Sequence, residues 1–356
     1  MTEAPTGAAD REVRRSPLGP TQPRLRATIR HILTAAIGLA AIAGLVLFLN
    51  PAHVGAALSH FHLALIAPIV LLSVLVYVLQ GVRWHFLLRD VGTSFRLRDT
   101  ILISLAGQTI SAIVPLGDLT RAAFASTAGG TDFGVVAATV TVQELSYTLI
   151  LILAGLPAIL ALGFGLTAVI PVVVGIVAIV IVLTVSPVFC VVHNLVSHIP
   201  LLRRLLPAID ELQEQTAKLL HRPDALILSI LDAARVVVAV TAFWLVLQAL
   251  EPGQAGWWQA AFVLALGTIG GAVSLIPGGA GANEASVAAL LIFLGFSPGA
   301  AGAAAIIQRV LVTGLSLGLG GGAYAAIHTR LHLGRMFQLV SRQTAGAVGP
   351  VRVPGG

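Results

Sequence analysis

Six stretches of the chain are predominantly apolar over lengths that approach or exceed the roughly 20 residues needed to cross a bilayer as a helix. They are Ile32–Leu49, Leu63–Leu88, Val135–Leu162, Leu166–Val192, Ala225–Leu250 and Ala300–Ile327. Inside lipid every backbone N–H and C=O must be paired within the protein, which leaves helices as the fold for segments of this kind. Composition agrees: 57% of the residues are hydrophobic and 10% charged, against roughly 25% charged in a soluble domain. The chain reads as an all-α polytopic membrane protein. Its formal net charge of +6 is a topology signal rather than a nucleic-acid footprint, because the basic residues flank the spans.

Residues 1–30 are rich in Pro, Gly, Ala and Arg without an apolar period, and read as a disordered basic cytoplasmic arm. Ile32–Leu49 is long for a signal-peptide core and lacks a small-x-small cleavage site, so a retained first span is expected. The single Cys190 excludes an intramolecular disulfide and a cysteine metal cluster. His53, His60 and His62 share one loop, but their spacing supports no metal site.

The arginines constrain topology further. One block precedes the first span (Arg11 to Arg30), a second closes the next span (Arg83, Arg89, Arg96, Arg98), a third occupies the middle loop (Arg203, Arg204, Lys218, Arg222), and a fourth forms the tail (Arg330 to Arg352). The connections 50–62, 163–165, 251–256 and 296–299 hold no Lys or Arg. The positive-inside rule puts all four blocks, and both termini, in the cytoplasm of a cell (plasma) membrane protein. An even number of crossings must then separate the second and third blocks, yet three apolar segments lie between them. The short one, Ile101–Val114, reads as a re-entrant hairpin broken at Pro115, Gly117 and Asp118. The same parity makes Trp257–Leu294 a hairpin entering from the other face and broken at Pro277, Gly278, Gly279 and Gly281. The expectation is six full spans plus two re-entrant hairpins. The membrane domain covers 31–328, with halves about 64–192 and 224–328, an interfacial amphipathic helix at about 207–220, and a basic tail at 329–356.

The two breaks are alike. In AIVPLGDLTR, Arg121 follows Pro115 by six residues; in SLIPGGAGANE, Glu284 follows Pro277 by seven. The next long helix carries Gln143–Glu144 in the first half and Gln308–Arg309 in the second. The signs are swapped, Arg then Glu against Glu then Arg, as in an inverted repeat with its site near the midplane where broken helices meet. An ionised group at that depth costs at least about 2.5–3.5 kcal/mol on insertion scales and needs a partner or a substrate. Asn283 is the expected N-cap of the returning half-helix. No Gly-Lys-Ser/Thr follows the glycines, so no nucleotide P-loop and no ATPase is expected.

GVRWHFLLRDVG, IVPLGDLTRAA, QELSY, LIPGGAGANEASVAALL and IQRVLVTGLSLGLGG together resemble the flippase-like family that includes the transmembrane region of lysylphosphatidylglycerol synthases, over roughly residues 30–330. The resemblance implies translocation of a lipid or lipid-linked headgroup between leaflets. The chain stops about 30 residues after its last span, so the synthase domain is expected to be absent and lysyl transfer is not carried over. Leu116–Gly117–Asp118 departs from the two glycines more usual before this Asp.

The expected substrate-binding residues are Arg309, Glu284, Arg121, Glu144, Asn283, Gln308 and Gln143, with a membrane lipid, either an anionic phospholipid or a polyprenyl-phosphate-linked one, as partner and no cofactor. Each has a structural alternative. The charges can pair across helices, Arg121 can snorkel to the surface, and Gln143 and Gln308 can join helices. Asp118 reads as a helix cap, Asp232 and Arg235 as a local pair, Arg83 and Trp84 as an interfacial anchor, and Gly314, Gly318 and Gly322 as a packing ridge. A small-solute or ion transporter, and a scaffold for a separate lipid-modifying enzyme, remain the rival readings.

Overall fold

The computed structural model describes residues 47, 51–111, 118–197, 213–214, 225–274 and 279–331, and every regular element among them is helical. In chain order they are α1 (Pro51–Ser59), α2 (Ile66–Asp90, entered through a 3₁₀ turn at Leu63–Leu65), α3 (Leu97–Ser111), α4 (Asp118–Gly129) and α5 (Phe133–Ala161). Then come α6 (Leu166–Thr184), α7 (Ser186–Ser197), α8 (Ala225–Leu250), α9 (Trp257–Val273) and α10 (Ala282–Phe293). The last, α11 (Pro298–Arg309), runs through a π-helical turn at Val310–Gly314 into α12 (Leu315–Leu331).

Among the described residues, four helices are long and apolar enough to cross a membrane: Leu63–Asp90, Phe133–Ala161, Ser229–Leu250 and Pro298–Ala326. The expected span Leu166–Val192 is broken into two helices, α6 and α7, meeting at a bend of 97°, which together make a fifth candidate span among the described residues. Ile32–Leu49, apart from Leu47, and the amphipathic segment 207–220, apart from two residues, lie outside the described residues.

Local chemistry fixes where the helices begin. Asp132 caps α5, its carboxylate accepting from the N–H groups of Gly134 and Val135 at 2.8 and 3.3 Å. Ser297 caps α11, with Pro298 in the first turn where its missing N–H costs nothing. At α10 the cap is Gly281 rather than the expected Asn283, and Glu284 completes a capping box by accepting from the Gly281 N–H. Gly279 and Gly281 have φ of +63° and +85°, a left-handed backbone open to glycine at little cost, which is why this turn is glycine-rich.

The α3–α4 and α9–α10 pairs fold back on themselves. Gly107 of α3 lies directly against the Arg121 backbone of α4. On α9, Gly267, Gly270 and Gly271 form a ridge that meets Asn283, Ser286, Val287 and Gly279, so that the two half-helices touch nearly backbone to backbone. The pairs open at opposite ends of α2. At its C-terminal end Gly129, closing α4, packs on Phe95 and Thr93 just before α3. At its N-terminal end the His62 N–H donates to the Ala249 carbonyl (3.1 Å), the Ser297 hydroxyl to the Glu251 carboxylate (2.6 Å), and the Gln254 amide to the Leu294 carbonyl (3.2 Å).

Each hairpin sits in its own apolar core. Trp84, Leu87, Ile103, Ala122, Phe124, Val136 and Val140 surround the first. Phe243, Leu247, Val263, Val287, Leu291 and the alanines of α11 surround the second. The first half-helix of each hairpin also packs on a long helix of the opposite half, α3 on α12 and α9 on α5. The ridge expected on α12 is displaced: Gly318 and Gly322 face open space, and Gly320 is the glycine pressed against Leu105 and Thr109 of α3. α6 leaves Leu166, Ile170 and Val174 more than half exposed, the surface of a lipid-facing helix.

Candidate functional site

Both hairpins place one charged residue on the returning half-helix opposite a charge on the next helix. Arg121 Nη2 reaches Glu144 Oε1 at 2.7 Å, and Arg309 Nε reaches Glu284 Oε1 at 2.9 Å. These four sequence-predicted residues therefore come together as two cross-helix pairs. Arg121 does not snorkel: it is completely buried, with its guanidinium 5.4 Å from the centre of the Trp84 ring. Glu284 is also buried, and its second oxygen is committed to the helix cap.

Glu144 has more partners than its counterpart. Oε1 also accepts from the Gln80 amide at 3.0 Å, and Oε2 faces both terminal nitrogens of Arg235 at 3.4 Å. The Arg235 guanidinium carbon lies over the Tyr147 ring, 4.1 Å from its centre. Two guanidinium groups thus share one carboxylate. Asp232 takes Arg83 at 3.0 Å. The expected local Asp232–Arg235 pair is therefore only part of the arrangement: the two charges act on each other, but each makes its direct ion pair with another helix, where burial makes a well-placed partner necessary. The Arg83 pairing also corrects the interfacial anchor. Arg83 and Trp84 are buried, and Trp84 donates to the Thr139 hydroxyl at 3.0 Å.

A cavity of about 270 Å³ opens beside this network. Glu144, Arg235, Gln80, Tyr147, Asn283 and Gln308 line it, and Ser73, Tyr77, Gln108 and Thr268 add further polar groups. Leu151, Phe243, Leu264 and Leu311 form its apolar wall. The two hairpins meet here, since α4 delivers Arg121 to Glu144 and α10 delivers Asn283. The π-helical turn after Arg309 gives the wall a carbonyl, Val312 O, which accepts from Tyr77 Oη at 2.6 Å; such turns recur at functional sites.

Three of the expected site residues, Glu144, Asn283 and Gln308, line this cavity directly. Arg121, Glu284 and Arg309 stand behind the wall as partners of, or chain neighbours to, lining residues. Gln143 is fully buried and donates to the Gln80 carbonyl at 2.8 Å, joining α5 to α2. Pro115, Gly117, Pro277 and Gly278 lie outside the described residues, and Asp118 is the first residue of α4. No group of three or more His, Cys, Asp or Glu suited to a metal ion occurs among the described residues.

Residues 35–320 match the family described as the lysylphosphatidylglycerol synthase TM region. The chain belongs to that family. No curated protein matches it. Membership in the lysylphosphatidylglycerol synthase TM region family makes this a membrane protein of a lipid-handling group, and the intramembrane charges lie within the matched residues. Sequence reasoning missed Gln80, Tyr147 and Arg235 as parts of the site. The available signal was Arg235 itself, a cation deep in the apolar run Ala225–Leu250, which needs a partner beyond its own helix.

Proposed function

We propose that the chain is a transporter rather than an enzyme, and that it moves an anionic phospholipid or lipid-linked headgroup between the leaflets of the plasma membrane. The observation that carries this reading is the sharing of Glu144 by Arg121 and Arg235 at the cavity wall. One unit of positive charge is left over in a site set among apolar helices, where an unneutralised charge is costly. An anionic headgroup supplies the missing charge. A volume of about 270 Å³ is just below the roughly 300–1,000 Å³ of pockets that enclose a whole small ligand, which suits a headgroup whose acyl or prenyl tails stay in the bilayer.

The hairpins supply the route. Their opening at opposite ends of α2, their swapped Arg/Glu pairs and the reciprocal packing of α3 on α12 and α9 on α5 support an inverted repeat. Arginine placement supports six spans with both termini cytoplasmic. Movement of one hairpin against its partner helix then exposes the cavity to each leaflet in turn, a recurrent transporter design. Val310–Gly314 is the natural place for that movement to be absorbed.

The test is reconstitution into liposomes carrying phosphatidylglycerol labelled with NBD on an acyl chain, followed by dithionite. Protein-dependent quenching beyond the outer-leaflet pool, reduced in Arg235→Gln, is expected. Quenching limited to the outer leaflet in protein-bearing vesicles contradicts lipid transport and leaves the small-solute and scaffold readings.

A further inference from the structure

We propose that an open groove at the C-terminal end of α2 is a second anion site, separate from the cavity beside Arg235. It takes the phosphate of an anionic phospholipid from the leaflet at that end of the helix, with Arg89 and Arg96 as its ligands. Transport through the cavity is not a premise of this site.

The groove has a volume of about 490 Å³ and runs from His85 on α2 to Leu97 at the start of α3. Its backbone is held in place. The hydroxyl and the N–H of Thr93 both donate to the Leu88 carbonyl, at 2.7 and 3.0 Å, and the Gly92 N–H donates to the Arg89 carbonyl at 3.1 Å. Gly92, with φ of +84°, makes a reversal that a residue with a Cβ would make only under strain. His85 Nδ1 and the Thr100 hydroxyl, 3.2 Å apart, tie the α2 wall to α3. The groove is therefore shaped before a ligand arrives.

Its charge is uncompensated. Arg83, Arg121, Arg235 and Arg309 each meet a carboxylate. Arg89 and Arg96 line the groove, are exposed, and have no ion-pair partner among the described residues. Asp90 and Asp99 are the acids of this stretch, and neither lines the groove. A single arginine at a membrane boundary is ordinary. Two that line one concave surface without a carboxylate suit an anion, and guanidinium donors match the oxygens of a phosphate.

The rim decides between a soluble phosphate and a lipid. Phe95 and Leu97 line the same groove, Leu97 is exposed, and so is Phe86, next to His85 on α2. A small soluble anion makes no use of these side chains, whereas an acyl chain lies against them. Cations beside exposed apolar groups at the end of a membrane helix are the chemistry of a phospholipid site.

Native mass spectrometry of the detergent-purified full chain tests this. Because the groove is open, its lipid exchanges with detergent during purification, and probes are added back. They are dioleoyl phosphatidic acid, phosphatidylglycerol and phosphatidylcholine, with glycerol 3-phosphate as the soluble control. Wild type and Arg235→Gln are both measured, the second having lost the cation that lines the transport cavity. In both, the two anionic lipids are expected to bind at least about tenfold more tightly than phosphatidylcholine, a ratio that two basic side chains at an anionic surface account for. In the Arg235→Gln background, Arg89→Gln and Arg96→Gln should each weaken that preference and together erase it, with unchanged unfolding midpoints. Arg98→Gln removes a charge from a neighbouring exposed residue outside the groove and should leave the preference whole. A loss in Arg98→Gln as large as in either groove variant means diffuse surface charge and overturns the site, as does an unchanged preference in the double variant. Loss of the preference in Arg235→Gln alone assigns the lipid to the transport cavity, which overturns the groove and supports the transport reading. Displacement of phosphatidic acid by an equal concentration of glycerol 3-phosphate overturns the lipid in favour of a soluble phosphate.

Discussion

Glu144 accepts hydrogen bonds from Gln80, Arg121 and Arg235, and among the described residues it is the carboxylate to which both arginines donate. Glu144→Gln therefore leaves two buried guanidinium groups side by side. A loss of about 3–5 kcal/mol is expected, measured as a lowered unfolding midpoint in detergent. Glu284 has two separable duties, capping α10 and pairing with Arg309. Glu284→Gln keeps a side-chain acceptor for the Gly281 N–H, since glutamine also serves in a capping box, whereas Glu284→Ala loses both. The alanine variant should melt lower than the glutamine variant; equal melting temperatures would mean that the cap contributes nothing. At this scale the sequence was informative about which residues are charged inside the membrane and about two of their pairings. It was silent on Arg83–Asp232 and Arg235–Glu144, because a partner 149 or 91 residues away leaves no local spacing to read. Asn283 was misplaced as the N-cap because its side chain suits that role in general. The local backbone, with φ of +85° at position 281, belongs to glycine.

At the scale of elements, the broken helices were legible because clustered proline and glycine interrupt the backbone pairing that an apolar run needs in lipid. Which glycines carry the packing was not, since every GxxxG-like spacing looks the same until neighbours are known. Gly320 presses on Leu105 and Thr109, whereas Gly318 and Gly322 face open space. Gly320→Ala should destabilise by about 1–3 kcal/mol through overpacking. Gly318→Ala and Gly322→Ala should be neutral or stabilising by up to about 1 kcal/mol, the ordinary gain in helix propensity. Thermal melts of the three variants have opposite expected signs, and a loss of stability at Gly318 or Gly322 matching that at Gly320 would sink the assigned α3–α12 contact. The bend between α6 and α7 did have a signal, Pro187 in the first turn of α7, where proline starts a helix rather than continues one; hydropathy alone merged the two helices.

For the whole molecule, the parity of arginine blocks is the strongest topological information the chain carries, and it needed no contact to be known. The structure adds that the hairpins open at opposite ends of α2, next to His62 on one side and Thr93 on the other. His60 and Ser94 are exposed near those two ends. In a Cys190→Ser background, His60→Cys should react with an impermeant thiol reagent from outside intact cells, and Ser94→Cys only after the membrane is opened. Reaction of both from the same side would refute the proposed topology. Transport itself turns on whether the cavity beside Arg235 holds an anionic lipid headgroup on its way across the bilayer. Mass spectrometry of the lipids retained by the purified protein, wild type beside Arg235→Gln, decides that. Enrichment of one anionic class over the bulk membrane in the wild type, and its loss in the variant, is the expected result. Retained lipids that match the bulk membrane in both proteins would contradict it.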